Sequence, residues 1–243
     1  MTPRTPTHYK ELLRSGRWFH GLSAETQDRI LSMGVVRTWS AEQRLFVQGD
    51  PPNGLFAVLD GTVRLCTYRA DGREVLLALA RCPTWFGEIG VFDGQPRSHH
   101  AIADGEVTAL HLPQEALDAW LTADPGSWRS LGLLLTTKLR LVLGAMEEAT
   151  TMPLLARLAR RIVVMAEGHG DLRLGSTREV SVKQEELATM LWTSRQTINR
   201  CLKDLEQKQL VRLSYGKIEI LDLDLLKREA DGLSLARGAD ALT

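Results

Sequence analysis

Two groups of residues in this 243-residue chain have the types and spacing to do chemistry. The first is Phe86-Gly87-Glu88-Ile89-Gly90, followed by Arg97-Ser98. Gly87 allows backbone N–H groups to approach a ligand closely, and a short turn after it can present them as a nest for an anion. Arg97 supplies a charged fork for a phosphate, Ser98 a hydroxyl donor, and Glu88 an acceptor for a sugar hydroxyl. A second reading of the same residues pairs Glu88 with Arg97 inside a barrel that holds no ligand.

The second group lies between Val180 and Leu221. Leu187, Met190 and Leu191 form the apolar face of one short helix, with Ser181 as its expected cap and Ala188 where a partner would cross. A second helix starts after Thr193-Ser194 and buries Ile198, Leu202 and Leu205. Its opposite side carries Arg195, Gln196, Asn199, Arg200 and Lys203. Two short helices joined by about three residues make a helix-turn-helix, whose second helix enters the major groove of double-stranded DNA. Arg reads guanine, Gln and Asn read adenine, and Ser194 and Thr197 are expected on phosphates. The run from Leu210 to Leu221 then reads as a β hairpin turning at Ser214-Tyr215-Gly216-Lys217, which makes the unit a winged helix.

The elements that must position these residues follow from periodicity. Residues 1–33 read as short helices, one capped by Ser23 with Gln27 and Arg29 on the wet side. From Val35 to Leu112 short β runs alternate with turns: Leu55 to Leu59, Val63 to Tyr68, Val75 to Ala80 and Val107 to Leu112. The breaks are Gly49 to Asn53, Asp60-Gly61, Asp71-Gly72 and Asp93-Gly94. Such spacing predicts a compact β barrel or roll. Pro113 opens a helical half, in which Trp128 to Glu148 carries Leu131, Leu134, Leu135, Leu139, Val142, Leu143 and Met146 at a spacing near 3.5. That stripe suits a core helix, or a dimer helix too long for a small roll to cover. A further helix from Leu154 to Glu167 follows Pro153 and stops at Gly168, residues 168–180 read as a loop or strand pair, and the tail from Gly232 as frayed.

Composition excludes several classes. Thirty basic residues balance 30 acidic ones, yet Lys183 to Lys217 holds seven basic and four acidic residues, the local excess that phosphate binding needs. No apolar run approaches the ~18 residues that span a bilayer, and no secretory leader opens the chain, so a cytoplasmic protein with no membrane partner is expected. Cys66, Cys82 and Cys201 are scattered, which argues against disulfides, zinc and an iron–sulfur cluster. No nucleophile–base set, metal spacing or phosphate-binding loop marks an enzyme.

Taken together, the chain over about residues 20–230 resembles the Crp/Fnr family of bacterial transcription regulators. The resemblance rests on the Gly49-Asp50 turn, Val58 to Arg64, Phe86 to Phe92 with Arg97-Ser98, and Ser194 to Arg200. It implies an α+β chain: a cyclic nucleotide-binding β-roll over 1–127, a dimerisation helix over 128–152, a winged helix-turn-helix over 153–232 and a flexible tail over 233–243. It also implies a homodimer on pseudo-palindromic DNA, RNA polymerase as partner, and Gly87, Glu88, Arg97 and Ser98 around the ribose and cyclic phosphate of an effector. Two departures stand out. Cyclic AMP receptors of the family read adenine with a Thr-Ser pair where Val142 and Leu143 stand here, and the nearest hydroxyl pair is Thr136-Thr137. Cyclic di-GMP therefore stands beside cyclic AMP as an expected effector, and a ligand-free constitutive barrel or a haem sensor using His99 or His100 are the alternatives. Trp192 stands where the family has Gly, so the turn should be strained there or shifted by one residue.

Overall fold

The computed structural model describes residues 5–167 and 178–232. The expectations for Gly168, for residues 168–177 and for the tail after Gly232 lie outside them. The chain divides inside one helix into two compact units, the first ending at Leu139 and the second beginning at Arg140.

The first unit opens with α1 (Lys10–Arg14), α2 (Arg17–His20) and α3 (Ala24–Met33). Ser23 caps α3 as expected, its Oγ accepting from Thr26 N at 3.1 Å. Gln27 is not on the wet side: it is buried, and its amide donates to the carbonyls of Phe19 and Leu22 at 2.9 and 3.1 Å. The end of α2 leaves carbonyls short of helical partners; Phe19 O takes only a 3.3 Å bond from Leu22 N, and the Gln27 amide supplements it and serves Leu22 O.

Six antiparallel strands follow: β1 (Val35–Trp39), β2 (Arg44–Phe46), β3 (Gly54–Tyr68), β4 (Glu74–Arg81), β5 (Trp85–Phe86) and β6 (His100–Pro113). The main path runs β1-β6-β3-β4, with β2 on β6 and β5 on β3. Asp60-Gly61 is not a turn, because the two runs predicted on either side of it are one strand. The register shifts there against β6, and Gly61 takes φ 83° with its Cα so close that a Cβ would sit 2.3 Å from the Glu106 carbonyl. A bulge, not a reversal, uses the glycine.

Alternation places the two faces of β3 in different cores. Phe56 and Val58 join Phe46, Phe86, Ala101 and Ala109 inside the roll. Leu55, Ala57 and Leu59 meet Phe19, Trp85 and Leu110 together with α5 (Gln114–Ala123) and the start of α6 (Ser127–Thr151). α4 (Glu88–Asp93) interrupts the strands directly after β5. The long apolar stripe divides along its length: Leu131 and Leu134 are buried in this core, whereas Leu139, Val142, Leu143 and Met146 are each 53–58% exposed.

In the second unit α7 (Leu154–Ala166) packs on α9 (Arg195–Gln207) and α10 (Leu223–Ala230), and α8 (Gln184–Met190) precedes α9. β7 (Glu179–Ser181), β8 (Val211–Ser214) and β9 (Lys217–Ile220) form a sheet in the order β7-β9-β8. Ser181 is thus a strand residue and not a helix cap. Extended Lys183 takes the cap position, with its backbone N–H donating to Glu186 Oε2 at 2.8 Å.

Candidate functional site

In the first unit, β5 ends at Phe86 and the chain reverses through Gly87 into α4. Gly87 takes φ 99°, and a Cβ there would come within 2.9 Å of the Gly54 carbonyl and 3.0 Å of Arg97 Nη1. Only glycine fits that approach. The next residue, Glu88, is the first of α4 and is buried.

Arg97 reaches this turn from the segment before β6. Its Nη1 donates to Gly87 O at 2.8 Å, and its Nη2 to Gly54 O at 2.6 Å and to Asn53 Oδ1. The guanidinium lies over the Phe46 ring at 4.2 Å, a cation–π contact. The residue is 4% exposed, and Nε has no partner. Burial pushes the guanidinium pKa down to about 10, against the pull of Glu88. Asn53 joins two ends of the site, because its carbonyl also meets His111 Nε2 at 2.8 Å while that ring stacks on Phe56.

Glu88 and Arg97 do not pair with each other. Glu88 Oε2 instead accepts from Lys138 Nζ at 2.8 Å, and the same ammonium donates to Trp85 O at 2.6 Å. Lys138 and Asn53 were not expected in the site. Lys138 did leave a signal, since it stands three and four residues beyond Leu135 and Leu134 on the buried face of α6, where an apolar residue would continue the stripe. Asn53 left none, because its position in a Pro-rich turn fixes no face.

Gly87, Glu88 and Arg97 are therefore together, and Ser98 is exposed beside them with its hydroxyl 2.9 Å from His99 Nδ1. His99 edges against Phe46, and burial drives its imidazole pKa down to about 4. His100 Nδ1 accepts from the Gln48 N–H at 3.2 Å. Among the described residues no group of three or more His, Cys, Asp or Glu could hold a metal ion. No helix among them is long and apolar enough to cross a membrane.

In the second unit, α8 closes on Leu191, and Trp192 turns the chain at φ 52°; the turn is strained and not shifted. Ser194 caps α9, accepting from Thr197 N at 3.1 Å while the two hydroxyls lie 2.8 Å apart. Ile198, Leu202 and Leu205 are buried. Arg195, Gln196, Arg200 and Lys203 are exposed, and Thr197 and Asn199 are half-buried. Asn199 Nδ2 donates to Gln184 Oε1 at 3.1 Å, so its amide ties α9 to α8. The free basic face is narrower than the spacing suggested. The hairpin of β8 and β9 turns at Tyr215 and Gly216, with the Tyr215 ring fully in solvent.

Comparison with known proteins fits this geometry. Residues 36–124 match the cyclic nucleotide-binding domain family, and residues 156–229 the Crp-like helix-turn-helix domain family. The cyclic AMP receptor protein of Thermus thermophilus is 33% identical over 221 residues, covering 89% of this chain and 97% of the relative. A CRP-like cAMP-activated global transcriptional regulator of Mycobacterium tuberculosis is 29% identical over 187 residues, 76% of this chain and 84% of the relative. Among solved structures, a CRP/FNR-family transcriptional regulator of Thermus thermophilus superposes with a TM-score of 0.64 at 27% identity, covering 81% of this chain and 98% of the other. With its α+β fold, its cyclic nucleotide-binding domain and its helix-turn-helix in this order, the chain belongs to the Crp/Fnr family of transcription regulators.

Proposed function

We propose that this chain is a homodimeric, sequence-specific DNA-binding regulator controlled by a cyclic nucleotide held at Gly87, Glu88, Arg97 and Ser98. One observation carries the effector reading: among the described residues, the hydrogen bonds of the buried Arg97 guanidinium go to neutral oxygens, those of Gly87, Gly54 and Asn53. A buried cation with no carboxylate bound to it favours an anion. Glu88, the acid whose charge acts on Arg97, is already ion-paired with Lys138. A nucleotide phosphate would exchange with the carbonyls for the guanidinium, and a hydrogen bond to a charged group is worth about 1.5–3 kcal/mol. Glu88 keeps acceptor capacity for a ribose hydroxyl, and the exposed Ser98 hydroxyl can add a donor.

The base is a separate question. Val142 and Leu143 offer no hydrogen bond, and the hydroxyls of Thr136 and Thr137 donate to the Leu133 carbonyl within their own helix. This supports an effector other than one read by an adenine-specific hydroxyl pair, and cyclic di-GMP stands beside cyclic AMP. The protein works without catalysis, in the cytoplasm, on a pseudo-palindromic operator and with RNA polymerase.

Thermal unfolding with cyclic AMP, cyclic GMP and cyclic di-GMP separates the effectors. The one that binds the folded form raises the midpoint, by RT ln(1 + [L]/Kd) in free energy. Arg97→Ala should abolish that rise. Since it also strands the Gly54 and Gly87 carbonyls, Arg97→Lys, which keeps the charge and loses the fork, provides a second variant. A wild-type midpoint unmoved by all three nucleotides would leave the constitutive reading.

A further inference from the structure

Trp192 joins α8 to α9 in a conformation that suits it poorly. Its φ of 52° is in the left-handed region, where a bulky residue is an outlier. Two hydrogen bonds fix the turn: Trp192 N donates to Thr189 O at 3.2 Å and Thr193 N to Ala188 O at 2.9 Å. These are the closing bonds of a Schellman motif, which needs a positive φ at this position and is most often closed by glycine. Glycine would supply the same turn without strain. Nor does the indole serve the core, since Trp192 is 70% exposed while Leu191 just before it is buried. Strained residues of this kind cluster at functional sites.

The position of the ring says what it would meet. Ser194, the cap of α9, is two residues on and Arg195 is three. Three residues span about 11 Å at most, so the indole sits at the same end of α9 as Arg195 and Gln196. That end of a recognition helix faces the groove. Two cations belong to the same turn: Arg195, exposed three residues on, and Arg157, whose Nη2 donates to the carbonyl of the preceding Leu191 at 2.8 Å. Basic residues at the turn that carries a solvent-facing indole fit a polyanion, and exposed Arg195 and Gln196 follow it directly in the chain.

We propose that Trp192 is a further DNA contact, laying its ring on a deoxyribose and donating its Nε1–H to a backbone phosphate beside the bases met by Arg195 and Gln196. This rests on the reading of α8 and α9 as the DNA-binding pair. A neutral donor displaces no counterion, so the contact adds affinity without steepening the salt dependence. It carries no sequence information, because sugar and phosphate are the same at every base.

The test uses the full chain with W192G and W192F, titrated by fluorescence anisotropy into a labelled random-sequence duplex at several salt concentrations. W192G should weaken binding about three- to tenfold, the scale of an aromatic anchor, with the slope of log K against log salt unchanged. Its melting midpoint should stay level or rise, since glycine takes the left-handed turn freely. W192F should lose less. DNA should also shield an indole from acrylamide in the wild type and not in W192F, a difference that isolates Trp192 from the other five tryptophans. W192G binding as tightly as wild type would overturn the proposal. So would weaker binding with a lower midpoint, or with a changed oligomeric state, which would assign the indole to the fold or to a protein contact. Failure of the wild type itself to bind any duplex would instead bring down the reading of α8 and α9, and this inference with it.

Discussion

Phe46 shows how closely the residues proposed to hold the effector are coupled to their support. Its ring carries the Arg97 guanidinium on one face and meets the His99 edge at 5.6 Å, so both polar groups share one apolar wall. Burial disfavours the charged form of each, which is why the Arg97 and His99 pKa values both fall. For His99, Lys138, Arg97 and His100 add to the burial, and Glu88 opposes them. The consequence for stability has a definite sign. In the unfolded chain the imidazole titrates near 6.5, and in the folded one near 4. Between these values the unfolded state binds the extra proton, so stability rises with pH. The contribution is whole above about 6.5 and is lost as pH falls toward 4, amounting to about 3 kcal/mol at most. His100 and His111 are shifted the same way by burial and steepen the trend. The melting midpoint should therefore drop on acidification through this window, and His99→Gln should flatten the drop. An equal slope in the variant would mean that His99 is not held neutral.

At the scale of elements, periodicity shows which residues share a face but not how far the partner surface extends. The spacing from Trp128 to Glu148 predicts α6 within three residues at either end, yet nothing in it says that burial stops after Leu134. That limit is set by where the sheet and α5 end, a tertiary fact. Short pieces such as β2 and β5 are invisible for a related reason. Three and two residues hold too little pattern, and their strand character comes from pairing with β6 and β3. In α9 the face was legible and its use was not. Ile198, Leu202 and Leu205 define the buried side, and the exposed side then follows. Hydrogen bonds between neighbours claim Asn199, Ser194 and Thr197, leaving Arg195, Gln196, Arg200 and Lys203 open to a partner. Arg200→Ala should cost about 1–3 kcal/mol on a selected operator and relax one base position. Lys203 is one turn further along and suits phosphate. Lys203→Ala should weaken all sequences alike and lower the salt slope by about one. Titrations on selected and random duplexes separate the two, and equal losses on both duplexes for both variants would make α9 a phosphate-binding face only.

For the whole molecule, the decisive feature is an apolar seam that one copy leaves uncovered. Leu139, Val142, Leu143 and Met146 recur at intervals of three and four, forming a stripe on the later half of α6, each more than half exposed. Single chains rarely leave such contiguous apolar surface in water. The heptad-like spacing fits a second α6 packed by knobs into holes, and a two-fold axis would bring each residue against its own copy or its neighbour. A pair built on this seam carries two copies of α9, which on B-DNA must lie one helical turn apart, about 34 Å, to reach successive major grooves. On the proposed homodimer, pseudo-palindromic preference would follow from the seam. Leu139→Asp separates these links. Because Leu139 is exposed in the single copy, a carboxylate there costs the isolated fold little, but across the two-fold it would place two like charges in an apolar contact. Light scattering should show a wild-type dimer at micromolar concentration and a shift of the variant toward monomers, with its melting midpoint no longer rising with protein concentration. The same variant should lose most of its preference for a palindromic over a single half-site duplex, while its weak affinity for random DNA, which one copy of α9 can supply, persists. A wild type that scatters as a monomer, or a variant that keeps its palindrome preference, would detach operator symmetry from α6.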